Sequence, residues 1–167
     1  MAFEQWAALP WVKSQKDKIQ WGQLTGSALS IAIAEGVKQQ NDLVLIVTPD
    51  TPSALRLETE LEYLLPDNPV MVFPDWETLP YDHFSPHQDI ISARLATLNT
   101  LKNEQQSVLI VPVSTLMLRT APASFIYGST LNFKVGDKLD THNLRSNLEQ
   151  AGYLNVQQVM EHGEYAI

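Results

Sequence analysis

The chain has 167 residues, 44% hydrophobic and 18% charged, with eleven Lys and Arg against nineteen Asp and Glu and a net charge of −8. That length buries a sizeable core without staples and suits one domain, or one plus the start of another, and the composition is globular and not disordered. The acidic balance lacks the basic footprint of a nucleic-acid binder, the absence of cysteine excludes disulfides and thiol catalysis, and no apolar run reaches the length of a membrane span.

The opening MAFEQWAALPWVKSQKDK has neither the basic start nor the apolar run of a signal peptide, so a soluble, cytoplasmic protein is expected. Phe3 to Ser14, broken by Pro10, reads as a short helix or packing arm. Ile19–Leu24 is a short apolar segment leading into Thr25-Gly26-Ser27, and Ala28–Val37 (ALSIAIAEGV) reads as a buried helix whose small residues let it lie close to a sheet. Leu43–Val47 (LVLIV) is a continuous apolar run, the pattern of a parallel strand buried on both faces. Thr48-Pro49-Asp50 turns the chain. Thr51-Pro52 starts a second helix with Pro at its first position, and Ala54, Leu55, Leu57, Leu61, Leu64 and Leu65 give it an apolar stripe. Glu58, Glu60 and Glu62 lie on or beside its solvent side, and Pro66–Pro69 ends it.

Val70–Phe73 is the next short strand. A proline- and aromatic-rich loop follows, then a helix over Pro86–Lys102 with Ser85 as cap, Pro86 at its first position and Asp89 in its first turn. Ile90, Ile91, Leu95, Leu98 and Leu101 form its expected buried face. Val108–Val113 is a further buried strand, with Pro112 marking its end. Ser114 is placed to cap a short helix over Thr115–Arg119, and Pro122–Tyr127 reads as a turn or short helical piece. Beyond it the texture changes. Ser129–Val135 alternates like a half-buried strand, Gly136-Asp137 turns, and Asp140 or Thr141 caps a polar helix ending at Gly152. Tyr153–Met160 alternates again, and Glu161–Ile167 reads as a strand entering a further hairpin, with no terminal element after it, as in a piece of a longer protein. The strand–helix alternation of residues 1–122 predicts a doubly wound parallel α/β sheet, and residues 123–167 read as the start of a small α+β domain.

Four constellations carry possible chemistry. The turn GQLTGSALS (Gly22–Ser30) sits where an NTPase places its phosphate loop. A working loop needs G-x-x-x-x-G-K-[ST], whose lysine reaches the β- and γ-phosphates. Counting from Gly22 puts Ser27 and Ala28 at the second Gly and the Lys; counting from Gln23 puts Ala28, Leu29 and Ser30 at the Gly, Lys and Ser/Thr. Neither register has a lysine, and no acid closes the strands ending at Val47 or Val113 in the manner of a Mg²⁺-binding aspartate. The second set is His83 and His87 with Asp82 and Asp89; Ser85-Pro86 interrupts the helix that would put both histidines on one face. Asp75, Glu77 and Asp82 in the same segment read as a solvated loop and not as paired acid–base carboxylates. Third, Phe73, Trp76, Tyr81 and Phe84 form a stacking platform for single-stranded nucleic acid on one reading, and a packed loop locked by Trp76 and Tyr81 on the other. Four acids between Asp75 and Asp89, against Arg94 and Lys102, favour packing. Last, a C-terminal strand edge carrying Glu161, Glu164 and Tyr165 offers a partner surface by strand pairing, or is an ordinary strand.

Three runs, DWETLPYDHFSPHQDIISARLATL, VLIVPVSTLMLR and AGY…VQQVMEHGEYA, closely resemble the N-terminal part of the bacterial transcription-repair coupling factors, over about Gly22 to Ala166. The resemblance implies a RecA/helicase-like α/β domain similar to the first domain of the repair protein UvrB, lacking a working phosphate loop and interrupted by a smaller domain that recruits UvrA. Leu29 stands where the UvrB-like lysine would be, and the loop after Val70–Phe73 is too short for the DNA-gripping hairpin of UvrB. The family's principal basic contact to UvrA lies beyond Ile167. The resemblance further implies that RNA polymerase, DNA, ATP and Mg²⁺ are bound by other domains of the full-length family member, an ATP-dependent DNA translocase. The expectation for this stretch is a non-catalytic scaffold without cofactor, metal or membrane contact and without direct nucleic-acid binding.

Overall fold

The computed structural model describes residues 18–79, 83–103, 106–128, 130–131 and 133–167. In chain order the elements are α1 (Ala28–Lys38), β1 (Val44–Thr48), α2 (Thr51–Leu64), β2 (Val70–Val72), α3 (Gln88–Asn103), β3 (Val108–Pro112), α4 (Val113–Leu116), α5 (Ala123–Gly128), α6 (Thr141–Gln150), β4 (Leu154–Asn155) and β5 (Glu164–Tyr165). They group into two compact units, one running to Asp75 and including Thr100–Thr120, the other made of Trp76–Asn99 and Ala121–Ile167. The partition in space therefore differs from a cut in chain order, because most of α3 groups with the C-terminal residues.

The first unit is a mixed α/β structure around a three-stranded sheet of order β1-β3-β2, all parallel, with Val44 and Val70 both opposite Val108. All five residues of the central strand β3 are buried, the condition that makes VLIVP uniformly apolar. Pro112, which has no N–H to give a ladder, closes that strand as its sequence implies. Ile33, Ala34 and Val37 of α1 and Ala54, Leu57 and Leu61 of α2 pack with Leu65, Val108 and Ile110 into one core. Val44, Ile46, Val70 and Val72 border it. The expectation that β1 is buried on both faces is corrected. It is an edge strand, and Leu45 and Val47 remain 51% and 47% exposed on the face away from that core.

Asp50 caps α2, its carboxylate accepting a hydrogen bond from the Ser53 N–H at 2.8 Å, so the helix starts one residue ahead of Pro52. Hydrogen bonds from Ser53 hold the Asp50 carboxyl below its usual range. The stripe of α2 is narrower than predicted, for Leu55 points outward at 50% exposure. α4 starts two residues earlier than its predicted span. Ser114 lies inside it, and its hydroxyl donates to Asp75 Oδ2 at 3.1 Å.

In the second unit α3 begins later than predicted. Ile91 N–H donates to the His87 carbonyl and Asp89 N–H to His87 Nδ1 at 3.3 Å, so His87 and not Ser85 is the cap. Pro86 then precedes the helix. Among the described side chains of α3 Arg94 and Thr97 are buried; Leu95, expected on the buried face, is 44% exposed. α6 matches its signals closely. Asp140 accepts from the His142 and Asn143 N–H groups, and the chain leaves through Gly152 at φ +89. Gly152 N–H bonds the Glu149 carbonyl and Tyr153 N–H the Leu148 carbonyl, which is the Schellman closure.

Two strand expectations fail here. The described residues of 129–135 form no strand; Lys134 and Asp137 instead close a turn about Gly136, and Val135 faces solvent. Tyr153–Met160 contributes only β4, which pairs with β5 in parallel and not as a hairpin. Alternation alone reports a half-exposed segment; without a neighbour to complete the ladder it does not become a strand.

Candidate functional site

In the first unit the phosphate-loop-like turn is well formed. Gly26 takes φ +58, a conformation glycine adopts without strain, and delivers the chain into α1 with Ser27 at the cap. Gly22 and Gly26 are exposed, Ala28 is half-buried, and Leu29 is 36% exposed. Ser30 is fully buried, and its hydroxyl donates a hydrogen bond to the Glu60 carboxylate of α2. The other Glu60 oxygen lies 4.0 Å from Arg56 Nε. The first turn of α1 thus presents Leu29 outward and spends its Ser30 hydroxyl inward. Glu58, two residues before Glu60 on α2, accepts a backbone hydrogen bond from Val72, while burial and then Glu62 push its carboxyl up.

In the second unit the Arg94 guanidinium lies 4.1 Å from the centroid of the half-buried Trp76 ring. A desolvated cation over an indole face is worth roughly 1–2 kcal/mol. Phe84 is 78% exposed, whereas Phe73, in the first unit, is buried and its N–H bonds the Ile110 carbonyl. Trp76, Phe84 and Phe73 thus differ in exposure, and Tyr81 lies outside the described residues. His87 is exposed at the start of α3, with Nδ1 3.3 Å from Asp89 Oδ2, and His162 Nε2 approaches the other Asp89 oxygen at 3.2 Å. Among the described residues no three His, Asp or Glu side chains converge to hold a metal ion; Asp82 lies outside that set.

The C-terminal residues form a clasp. Tyr165 is buried, and its hydroxyl donates to Glu149 Oε1 at 2.8 Å. Burial and then Glu149 push the phenol up. Glu164 Oε2 accepts from the Met160 and Glu161 N–H groups at 2.8 and 3.1 Å, which hold its carboxyl below the usual range. Arg145 Nη2 donates to the Ile167 carbonyl at 3.2 Å. Of the predicted partner set Glu161 is exposed, while Glu164 and Tyr165 are engaged within the unit. Two residues that the sequence reading treated only as a solvent-side acid and a nearby cation, Glu60 and Arg94, are prominent in the geometry. Arg94 falls four residues after Ile90 and three before Thr97, a helical spacing that marked an inward position. Glu60 sits three residues after Leu57 and next to Leu61, at the rim of the apolar stripe.

Compared with known proteins, the chain is 52% identical over 145 residues to the transcription-repair-coupling factor of Escherichia coli (strain K12), a match covering 87% of this chain and 12% of that protein. It is 47% identical over 146 residues to the one from Haemophilus influenzae, covering 87% and 13%. With the Bacillus subtilis factor it shares 24% identity over 144 residues, covering 86% and 12%. The chain thus spans about an eighth of the length of these curated relatives. No family model matches it.

Proposed function

Because this chain belongs to the transcription-repair coupling factor family, we propose that it is a non-catalytic docking piece of such a factor. In this reading it is part of a UvrB-like, RecA-type α/β domain that lacks a working phosphate loop, together with the start of an inserted domain that recruits UvrA. In the longer protein it links stalled RNA polymerase to nucleotide excision repair, while ATP, Mg²⁺ and DNA are handled by other domains. The observation that carries the reading is the 52% identity sustained over 87% of the chain.

Local chemistry supports the non-catalytic part. A nucleotide site needs a cation for the phosphates and a free hydroxyl for Mg²⁺. Leu29 stands at the first position, and the Ser30 hydroxyl at the second is committed to Glu60. Among the described residues no helix is long and apolar enough to cross a membrane. The test is equilibrium binding and turnover of Mg·ATP by the 167-residue chain. No saturable binding and no phosphate release are expected. Hydrolysis that disappears on Gly26→Val or Ser30→Ala would overturn the non-catalytic reading.

A further inference from the structure

The missing lysine is one reason for the phosphate loop to be silent, and Glu60 supplies a second. α1 has eleven residues, no acid in its first turn and no side-chain hydrogen bond from its cap Ser27. A helix start of this kind favours an anion, since its first N–H groups and the helix dipole both point positive charge there. Here a carboxylate of the same chain meets that turn. Glu60 reaches across from α2 to Ser30, the third residue of α1, which has no exposed surface. The Glu60 side chain is 23% exposed, with Arg56 beside its other oxygen.

We propose that Glu60 is a built-in anion that closes the degenerate phosphate loop. It holds the hydroxyl that Mg²⁺ would require and sets a negative charge beside the turn that nucleotide phosphates would have to approach. The inference rests on the non-catalytic reading above and deepens it: the loop is shut by α1–α2 packing as well as by the residue at position 29. Restoring the motif's side chains alone therefore does not restore a site.

The test measures binding of a fluorescent Mg·ATP analogue to four full chains, each checked for folding by circular dichroism: wild type, A28G/L29K, E60Q, and A28G/L29K/E60Q. Leu29 is exposed, so lysine is accommodated there. The expected result is saturable binding by the triple variant, at least about tenfold tighter than by A28G/L29K, a margin set by removing one unfavourable charge from a phosphate site. Equal affinity of the double and triple variants would overturn the proposal, as would a folded triple variant that does not bind. Binding by the wild-type chain would instead defeat the non-catalytic reading, and the comparison of double with triple variant would still report on Glu60. A stability cycle of Ser30→Ala and Glu60→Ala gives an independent reading. The two effects on the unfolding equilibrium constant should fall short of multiplying by roughly fivefold or more, and strict additivity would count against the contact.

Discussion

Arg94 is 2% exposed, and its guanidinium covers the face of Trp76. A buried cation persists only where its surroundings compensate its lost hydration. The two side chains should therefore behave as a coupled pair. Trp76→Ala and Arg94→Ala are each expected to destabilise, with a coupling of about 1 kcal/mol in a double-mutant cycle followed by urea unfolding. Additive effects would mean that the ring and the guanidinium merely share a neighbourhood. At the other end of the unit, Glu164 is held below its ordinary value of 4.5 by two backbone N–H groups. Its folded form binds a proton more weakly than its unfolded form. The stabilisation is present above the unfolded value and is lost as pH falls through the lowered folded one. Glu164→Gln should accordingly flatten the acid limb of stability against pH, read from urea midpoints between about pH 3 and 6. Tyr165 has the opposite sign. Its phenol is pushed above the ordinary 10.0, so its contribution holds below that value and fades as pH rises through the folded one.

Helix α6 shows how far local signals reach. Asp140 at its start and Gly152 at its end are both where the sequence puts them, because caps depend on residues within a turn of one another. Asp140→Ala should cost about 1 kcal/mol through the loss of its cap. Gly152→Ala should cost a similar amount, roughly 1–2 kcal/mol, since φ +89 disfavours any Cβ even though no atom lies within 4 Å of that position. Thermal unfolding checks both. The parallel pairing of β1, β2 and β3 was legible for a related reason: uninterrupted aliphatic runs separated by helical stripes have few other solutions.

What was not legible depends on partners distant in the chain. Leu45 and Val47 are written like core residues, yet β1 is an edge strand with one face open, which the run itself cannot reveal. Ser129–Val135 alternates in sequence, yet its described residues pair with no strand among the described residues. The start of α3 lies two residues beyond its expected position because the His87 ring and carbonyl, and not Ser85, take up the first N–H groups, a role that its residue type does not announce. At the candidate site the same division holds. The absent lysine at Leu29 is visible in one line of sequence, whereas the Ser30–Glu60 contact joins residues thirty positions apart.

At the scale of the molecule the net charge of −8 sets the tone. The chain is acidic, Trp76 lies under Arg94 and Phe73 is buried, whereas tracking a phosphate backbone takes a cationic groove. Single-stranded DNA should show no saturable, salt-dependent affinity for it, and Trp76→Ala should leave that result unchanged. The chain spans about an eighth of its curated relatives, and the role proposed for it is docking. The most direct measurement is the affinity of purified UvrA for this chain and for the same chain extended about fifty residues past Ile167, roughly the remainder of a small domain. Saturable binding is expected from the extended chain, and binding at least about tenfold weaker from the shorter one. Failure of the extended, folded chain to bind UvrA would contradict the docking role.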